Sequence, residues 1–251
     1  MTDPLTSGTP LVIAAHGTRD EAGVAECRAL AERVARKLPG IPVELGFVEL
    51  AEPGIPEAVG AAVAQAPDNP EGAGGDEEAA AVVVPLMFNT GGHVREDIPE
   101  AIDEGRGDAR VMYSAPLLPD VRMRKALNHR LTETLAAGEG CEEWRPRDTS
   151  AVLVGRGALV PDANASHYTL TRMFWEENDL SRVEPAFIQV TRPSVPEALS
   201  ALAAQGANQI VVQGNFLFPG LLHVWMTEQV EAWQASHPGV CLLYTSDAAD
   251  E

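Results

Sequence analysis

The sequence is poor in basic residues: 18 lysines and arginines stand against 37 aspartates and glutamates, a formal charge of −19. Nucleic acids and anionic membranes attract basic surfaces, so neither is an expected partner. Cysteine is scarce. Cys27, Cys141 and Cys241 are the three in the chain, and no two have CxxC spacing. Reduced thiols in a cytoplasmic protein are expected rather than a disulfide framework. No apolar run approaches the ~20 residues that span a bilayer. The opening MTDPLTSGTP lacks the basic and apolar regions of a secretory signal. What the 251 residues do have is 45% hydrophobic content, enough for one large domain or two small ones with separate cores.

The most informative stretch is Val82 to Pro99, VVVPLMFNTGGHVREDIP. A short β-branched run reads as a buried strand. The loop Asn89-Thr90-Gly91-Gly92 follows, and its glycines let the chain turn sharply and approach a ligand. His93 then falls at the carboxyl end of a strand, where open parallel sheets carry their chemistry. Elsewhere, strands are expected at Leu11–Ala15, Pro42–Leu50, Ala80–Met87 and Arg110–Ser114. Helices are expected at Val24–Leu38, Pro53–Ala66, Val94–Glu104 and Val121–Ala137. Pro67 to Glu78 is rich in Gly, Pro and acid and reads as a loop. Strands alternating with helices imply an α/β fold, a parallel sheet covered on both faces.

After a polar linker, Gly138 to Thr149, the pattern restarts. Strands are expected at Ala151–Gly155, Pro185–Thr191 and Gln209–Gly214, and helices at Ala163–Glu177, Pro196–Gln205 and Leu221–Ala235. The halves align residue by residue. Val12 to Gly17 matches Val152 to Gly157, Phe47 matches Phe187, and Pro56-Glu57-Ala58 matches Pro196-Glu197-Ala198. Beyond the acidic loop, Val82-Val83-Val84 matches Ile210-Val211-Val212 and Gly92 matches Gly220. The chain therefore reads as a duplicated α/β unit, with one domain over residues 1–138 and an incomplete second over 150–240. Residues 241–251, CLLYTSDAADE, look foreign and are expected to be a non-native tail. On that reading the second half lacks its last helix and exposes the apolar face the helix would cover.

Three strand-end positions differ in chemistry between the halves: His16 against Arg156, Glu49 against Gln189, and His93 against Leu221. His, Glu and His can bind a divalent cation, whereas Arg, Gln and Leu cannot. Neutral imidazoles suit Zn, Fe, Co and Ni, and a carboxylate can complete the site or move protons. His129, His167 and His237 have no partner at a useful spacing. His223 lies two positions past the match to His93 and reads as a surface or inter-domain histidine. Asp97 reads as a helix-turn residue.

These residues resemble the class II chelatases of the sirohydrochlorin cobaltochelatase and ferrochelatase family. Ala15-His16-Gly17-Thr18 is similar to that family's opening motif, and Gly46-Phe47-Val48-Glu49 to its second. Pro85 through Pro99 is similar to the third, Pro-Leu/Tyr-Phe-x-x-x-Gly-x-His-x-x-x-Asp-Ile-Pro. The second half resembles the degenerate half of the long two-domain members. The resemblance implies two chelatase-like α/β domains and insertion of a divalent metal into sirohydrochlorin or a related tetrapyrrole. It implies His16 and His93 as metal ligands, with Glu49 helping in metal binding or proton removal. Arg19 and Arg95 flank the histidines and, with Arg156 and the loop Asn89 to Gly92, are candidates for contacting the tetrapyrrole and its carboxylates. No permanently bound cofactor is expected; Co²⁺, Fe²⁺ or Ni²⁺ is a substrate. A monomer with two domains facing each other is expected. Two alternatives stay open. One is a metal carrier using the same histidine pair. The other is a histidine-phosphatase-like hydrolase, disfavoured because that motif places an arginine where Ala15 stands.

Overall fold

Short β-branched runs alternating with amphipathic helices build two parallel sheets, each flanked by helices. The computed structural model describes residues 8–66, 79–88, 90–138, 143–218 and 220–245. It divides into two units, Met1–Leu117 and Leu118–Glu251. The expected loop Pro67 to Glu78 lies outside the described residues.

The first unit runs β1 (Leu11–Ala15), α1 (Glu21–Lys37), β2 (Val43–Phe47), α2 (Ile55–Ala64), β3 (Ala81–Pro85), a wide π-helical turn (His93–Asp97), α3 (Ile98–Gly105) and β4 (Val111–Tyr113). Its four strands are parallel in the order β2-β1-β3-β4. The chain leaves β1 toward β2 on one side and later returns to β3 on the other. The carboxyl ends of β1 and β3 thus flank the point where strand order reverses, where open α/β sheets bind ligands. The helix α2 buries Ile55, Ala58, Val59 and Ala62, the i, i+3, i+4, i+7 stripe of a helix packed on one face. That stripe meets Val12, Ala14 and Val83 of the sheet and Ile98 and Ile102 of α3 in one core. The other sheet face, Leu11, Ile13 and Val82, packs on Ala31 and Val34 of α1.

The second unit holds α4 (Val121–Ala137), a 3₁₀ turn (Pro146–Asp148), β5 (Ser150–Gly155), α5 (Pro161–Glu177), β6 (Arg182–Phe187), α6 (Val195–Ala204), β7 (Gln209–Gly214), α7 (Leu221–Gln234) and β8 (Cys241–Tyr244). Its sheet order is β6-β5-β7-β8, again parallel. The duplication holds at the level of register: Ala15 faces Phe47 as Gly155 faces Phe187. Val195, Ala198, Leu199 and Leu202 of α6 repeat the α2 stripe. Leu50 and Val190 occupy the same left-handed backbone position, with φ of 65° and 71°.

Three features stand beside the sequence expectation. In space α4, which precedes the Gly138–Thr149 linker, groups with the second unit. Within the second unit α4 packs on α5 and β8, burying Leu127, Leu131 and Leu135. Arg124 Nε donates to Glu177 Oε1 at 2.8 Å across that contact. Cys241–Tyr244, inside the stretch expected to be foreign, pairs with β7 as an edge strand; a short apolar run can fill a vacant sheet edge whatever its origin. Cys241 is disulfide-bonded, against the expectation of reduced thiols, while Cys27 is free and buried. Among the described residues no helix is long and apolar enough to cross a membrane.

Candidate metal centre

The loop after β1 is held against the loop after β2 by backbone alone. Val48 N–H donates to Ala15 O at 2.9 Å, and Glu49 N–H donates to His16 O at 3.1 Å. Gly17 makes this approach possible. Its φ is +93°, and a Cβ there would lie 1.8 Å from Glu49 O, a distance no side chain tolerates. The side chains of His16 and Glu49 are consequently neighbours, with Nδ1 and Oε1 3.8 Å apart. His16 Nδ1 also lies 3.2 Å from Gly17 O.

His93 arrives from β3 through the glycine loop and opens the wide turn. Ile98 N–H donates to His93 O, an i→i+5 bond in place of the usual i→i+4. The cause is legible in the sequence. Pro99 has no N–H to donate to Arg95 O, and in a regular α-helix its ring would collide with that carbonyl. Widening the turn by one residue relieves the clash. Tyr113 of β4 ties the turn down, its hydroxyl donating to Val94 O at 2.9 Å. Burial pushes the Tyr113 phenol up to about 12, so it remains a donor at neutral pH. His93 Nδ1 lies 2.5 Å from Asp97 Oδ2.

These loops bring three ligand atoms together. One atom each from His16, Glu49 and His93 lies within 4.8 Å of the other two, the one such group of metal-binding type among the described residues. The imidazole rings stand edge to face, 4.5 Å between centroids. All three side chains retain solvent access, at 37% for His16, 50% for Glu49 and 33% for His93. Two imidazoles and one carboxylate on an open surface satisfy half of an octahedral shell, or three corners of a tetrahedron. The partial exposure of all three side chains leaves the cluster reachable from solvent.

The other expected site residues are not gathered into this cluster. Arg19 and Arg95 are exposed beside it, and Arg156 is exposed at the end of β5 in the second unit. Thr90 and Gly91 are half-buried and Gly92 is exposed in the approach to His93; Asn89 lies outside the described residues. His223 points into its own unit, Nε2 lying 2.7 Å from Thr245 O. His129 sits 3.1 Å from Glu133 on an exposed helical face. Asp97, read as a helix-turn residue, closes the turn that His93 opens and is absent from the group of mutually close ligand atoms; its spacing of four from His93 puts both on one helical side.

The second unit shows the same strand ends without the two histidines and the carboxylate. Gly157 repeats the close approach, its missing Cβ 2.0 Å from Gln189 O. Two exposed side chains turn apolar there: Leu159 stands where the first unit has Arg19, and Leu221 where it has His93. His167 is a separate matter. It is buried in α5, with Nε2 3.0 Å from Leu153 O, and burial lowers its pKa to about 4. It replaces Cys27 of the first unit, and Gly155 makes room for it where the first unit has Ala15.

Fold and candidate site together describe an α/β protein in which two histidines and a carboxylate converge at the strand switch point. The chain belongs to the CbiX family, whose profile matches residues 10–134 and 150–247. It is 30% identical over 203 residues to the sirohydrochlorin cobaltochelatase of Priestia megaterium, covering 80% of this chain and 61% of that protein. It is 28% identical over 231 residues to the sirohydrochlorin ferrochelatase of Bacillus subtilis, covering 90% and 81% respectively. The chain thus spans under two thirds of the first relative's length. Among solved structures it is similar to SirB from Bacillus subtilis with Fe³⁺, at a TM-score of 0.77 and 25% identity. That match covers 95% of this chain and 88% of the other.

Proposed function

We propose that the chain inserts a divalent metal, Co²⁺ or Fe²⁺, into sirohydrochlorin or a closely related tetrapyrrole. The observation that carries this reading is the convergence of His16, Glu49 and His93, from the loops after β1, β2 and β3, in a cluster whose side chains are all partly exposed. The relatives' activities, sirohydrochlorin cobaltochelatase and ferrochelatase, support the choice of substrate.

The chemistry required follows from the reaction. The metal must be held by few ligands on one side, so that macrocycle nitrogens can replace its remaining waters. Two neutral imidazoles from His16 and His93 suit that task, being exchangeable and uncharged. The tetrapyrrole loses two N–H protons for each M²⁺ that enters. Glu49, half-exposed beside His16, is the base that accepts the two protons in turn and passes each to water before taking the next. Arg19 and Arg95 lie next to the histidines in the sequence and Arg156 at the equivalent place in the second unit. In this reading they pair with substrate carboxylates, and Asn89 to Gly92 line the macrocycle's approach. The metal is substrate, and no resident cofactor is part of the reading. A cytoplasmic monomer with neither nucleic acid nor membrane as partner belongs to the same proposal, in keeping with its acidic charge.

The test is direct. Purified chain is mixed with sirohydrochlorin and Co²⁺, Fe²⁺ or Ni²⁺ in turn, and the visible spectrum of the macrocycle is followed. Insertion above the uncatalysed rate is expected for at least Co²⁺ or Fe²⁺. Metal binding with no acceleration for any of the three would leave the metal-carrier reading in its place.

A further inference from the structure

We propose that Asp97 is a positioning residue for the metal site: it accepts the Nδ1–H of His93, fixes that tautomer, and leaves Nε2 as the metal ligand. The inference rests on the reading of His16 and His93 as metal ligands and adds a residue that touches neither metal nor macrocycle.

Three observations carry it. The first is geometric. Asp97 Oδ2 lies 2.5 Å from His93 Nδ1, and Asp97 is absent from the group of mutually close ligand atoms formed by His16, Glu49 and His93. A carboxylate on Nδ1 leaves Nε2 as the imidazole's one free lone pair. Metal-bound histidines commonly donate their other N–H to a carboxylate in this way, which fixes ring orientation and raises ligand basicity.

The second comes from the internal repeat. The second unit aligns at an offset of 128 through this helix, and its core positions are kept. Ile98 corresponds to Met226 and Ile102 to Val230, all buried. Three positions between and beside them change together: His93 becomes Leu221, Asp97 becomes Trp225 and Pro99 becomes Thr227. The unit that lacks the histidine also lacks its carboxylate and the proline behind the wide turn.

The third is the backbone. His93–Asp97 is the π-helical turn of the first unit, whereas α7 is regular from Leu221 onward. Isolated π turns within α-helices recur at functional sites. Here Pro99 forces the turn open, and Tyr113 holds it by donating to Val94 O. A rigid turn carrying both partners keeps the imidazole from rotating about its χ angles, which a free side chain on an open surface would do.

The experiment titrates the full chain with Co²⁺ in the absence of tetrapyrrole, following the visible ligand-field bands, for wild type, His16→Ala and Asp97→Asn. Asp97→Asn is expected to bind Co²⁺ about 10–100-fold more weakly and to raise KM for Co²⁺ while KM for the tetrapyrrole stays unchanged. Wild type that binds no Co²⁺, or His16→Ala that binds normally, refutes the metal-site reading itself. Wild type that binds at a His16-dependent site, with Asp97→Asn within twofold of it, refutes the role of Asp97 alone. Should Asp97→Asn fail to fold, the wild type answers by another route. Long-range ¹H–¹⁵N spectra of ¹⁵N-histidine-labelled protein read the His93 tautomer, its signals identified by their loss in His93→Gln. The Nδ1–H tautomer is expected, with Nε2 shifting on addition of Zn²⁺. An Nε2–H tautomer, or metal on Nδ1, overturns the proposal.

Discussion

Acid should destabilise the second unit through His167, a residue with no part in the metal chemistry. Its imidazole is 1% exposed, donates from Nε2 to Leu153 O at 3.0 Å, and has no hydrogen-bond partner at Nδ1. Burial lowers its pKa from 6.5 to about 4, the carbonyls of Leu153 and Ala186 pulling weakly the other way. The unfolded chain therefore takes up this proton first as pH falls. Above pH 6.5 both states are neutral and the group's contribution is intact. Between pH 6.5 and about 4 the unfolded state binds more protons, so stability falls with pH; below that the loss is complete. A shift of this size corresponds to on the order of 3 kcal/mol, or roughly 10 °C in midpoint for a domain of this length. The assay is thermal unfolding from pH 7 to 4 for wild type and His167→Gln, which can still donate to Leu153 O but does not titrate. Carboxylates titrate equally in both, so the difference between the two curves isolates His167. The difference should narrow as pH falls, His167→Gln losing less. Parallel curves from pH 7 to 4 would refute the reasoning.

Gly17→Ala should cost well over the ~1 kcal/mol typical of a left-handed glycine, because its Cβ would overlap Glu49 O. Insertion should slow with it, measured alongside denaturant unfolding. Leu131→Ala, in the buried stripe of α4, should cost about 2–5 kcal/mol. Hydrogen exchange should show the loss in β5–β8 rather than in β1–β4, as the packing of α4 on α5 and β8 requires. Glu49→Gln should bind Co²⁺ less tightly by a modest factor but lose about 10²-fold or more in insertion rate if Glu49 takes the proton; single-turnover kinetics separate the two effects.

Much of this arrangement is legible in the sequence because duplication supplies its own comparison. Positions kept in both halves, such as Gly17 and Gly157, turn out to be backbone requirements. Positions that differ in charge, His16, Glu49 and His93, turn out to converge. Strand β6 was read three residues late because Pro185 marks a strand start in most contexts. It is tolerated mid-strand here since β6 is a sheet edge and one side of it makes no ladder bonds. The helix α4 follows the first half in chain order, while in space this helix, with Leu127, Leu131 and Leu135 buried, packs on α5 and β8. Side-chain periodicity says that a helix has a buried face but not which sheet receives it. The wide turn at His93–Asp97 is invisible to periodicity, because a single i→i+5 bond hardly disturbs a helical pattern. Pro99 was its one signal.

The account stands most directly on insertion by a chain without its two imidazoles. His16→Ala/His93→Ala should fold with a circular dichroism spectrum and unfolding midpoint close to wild type, since both side chains are partly exposed. It should leave sirohydrochlorin metal-free at the uncatalysed rate with Co²⁺ or Fe²⁺. Insertion by the double variant at the wild-type rate would contradict the assignment of the metal site to these histidines.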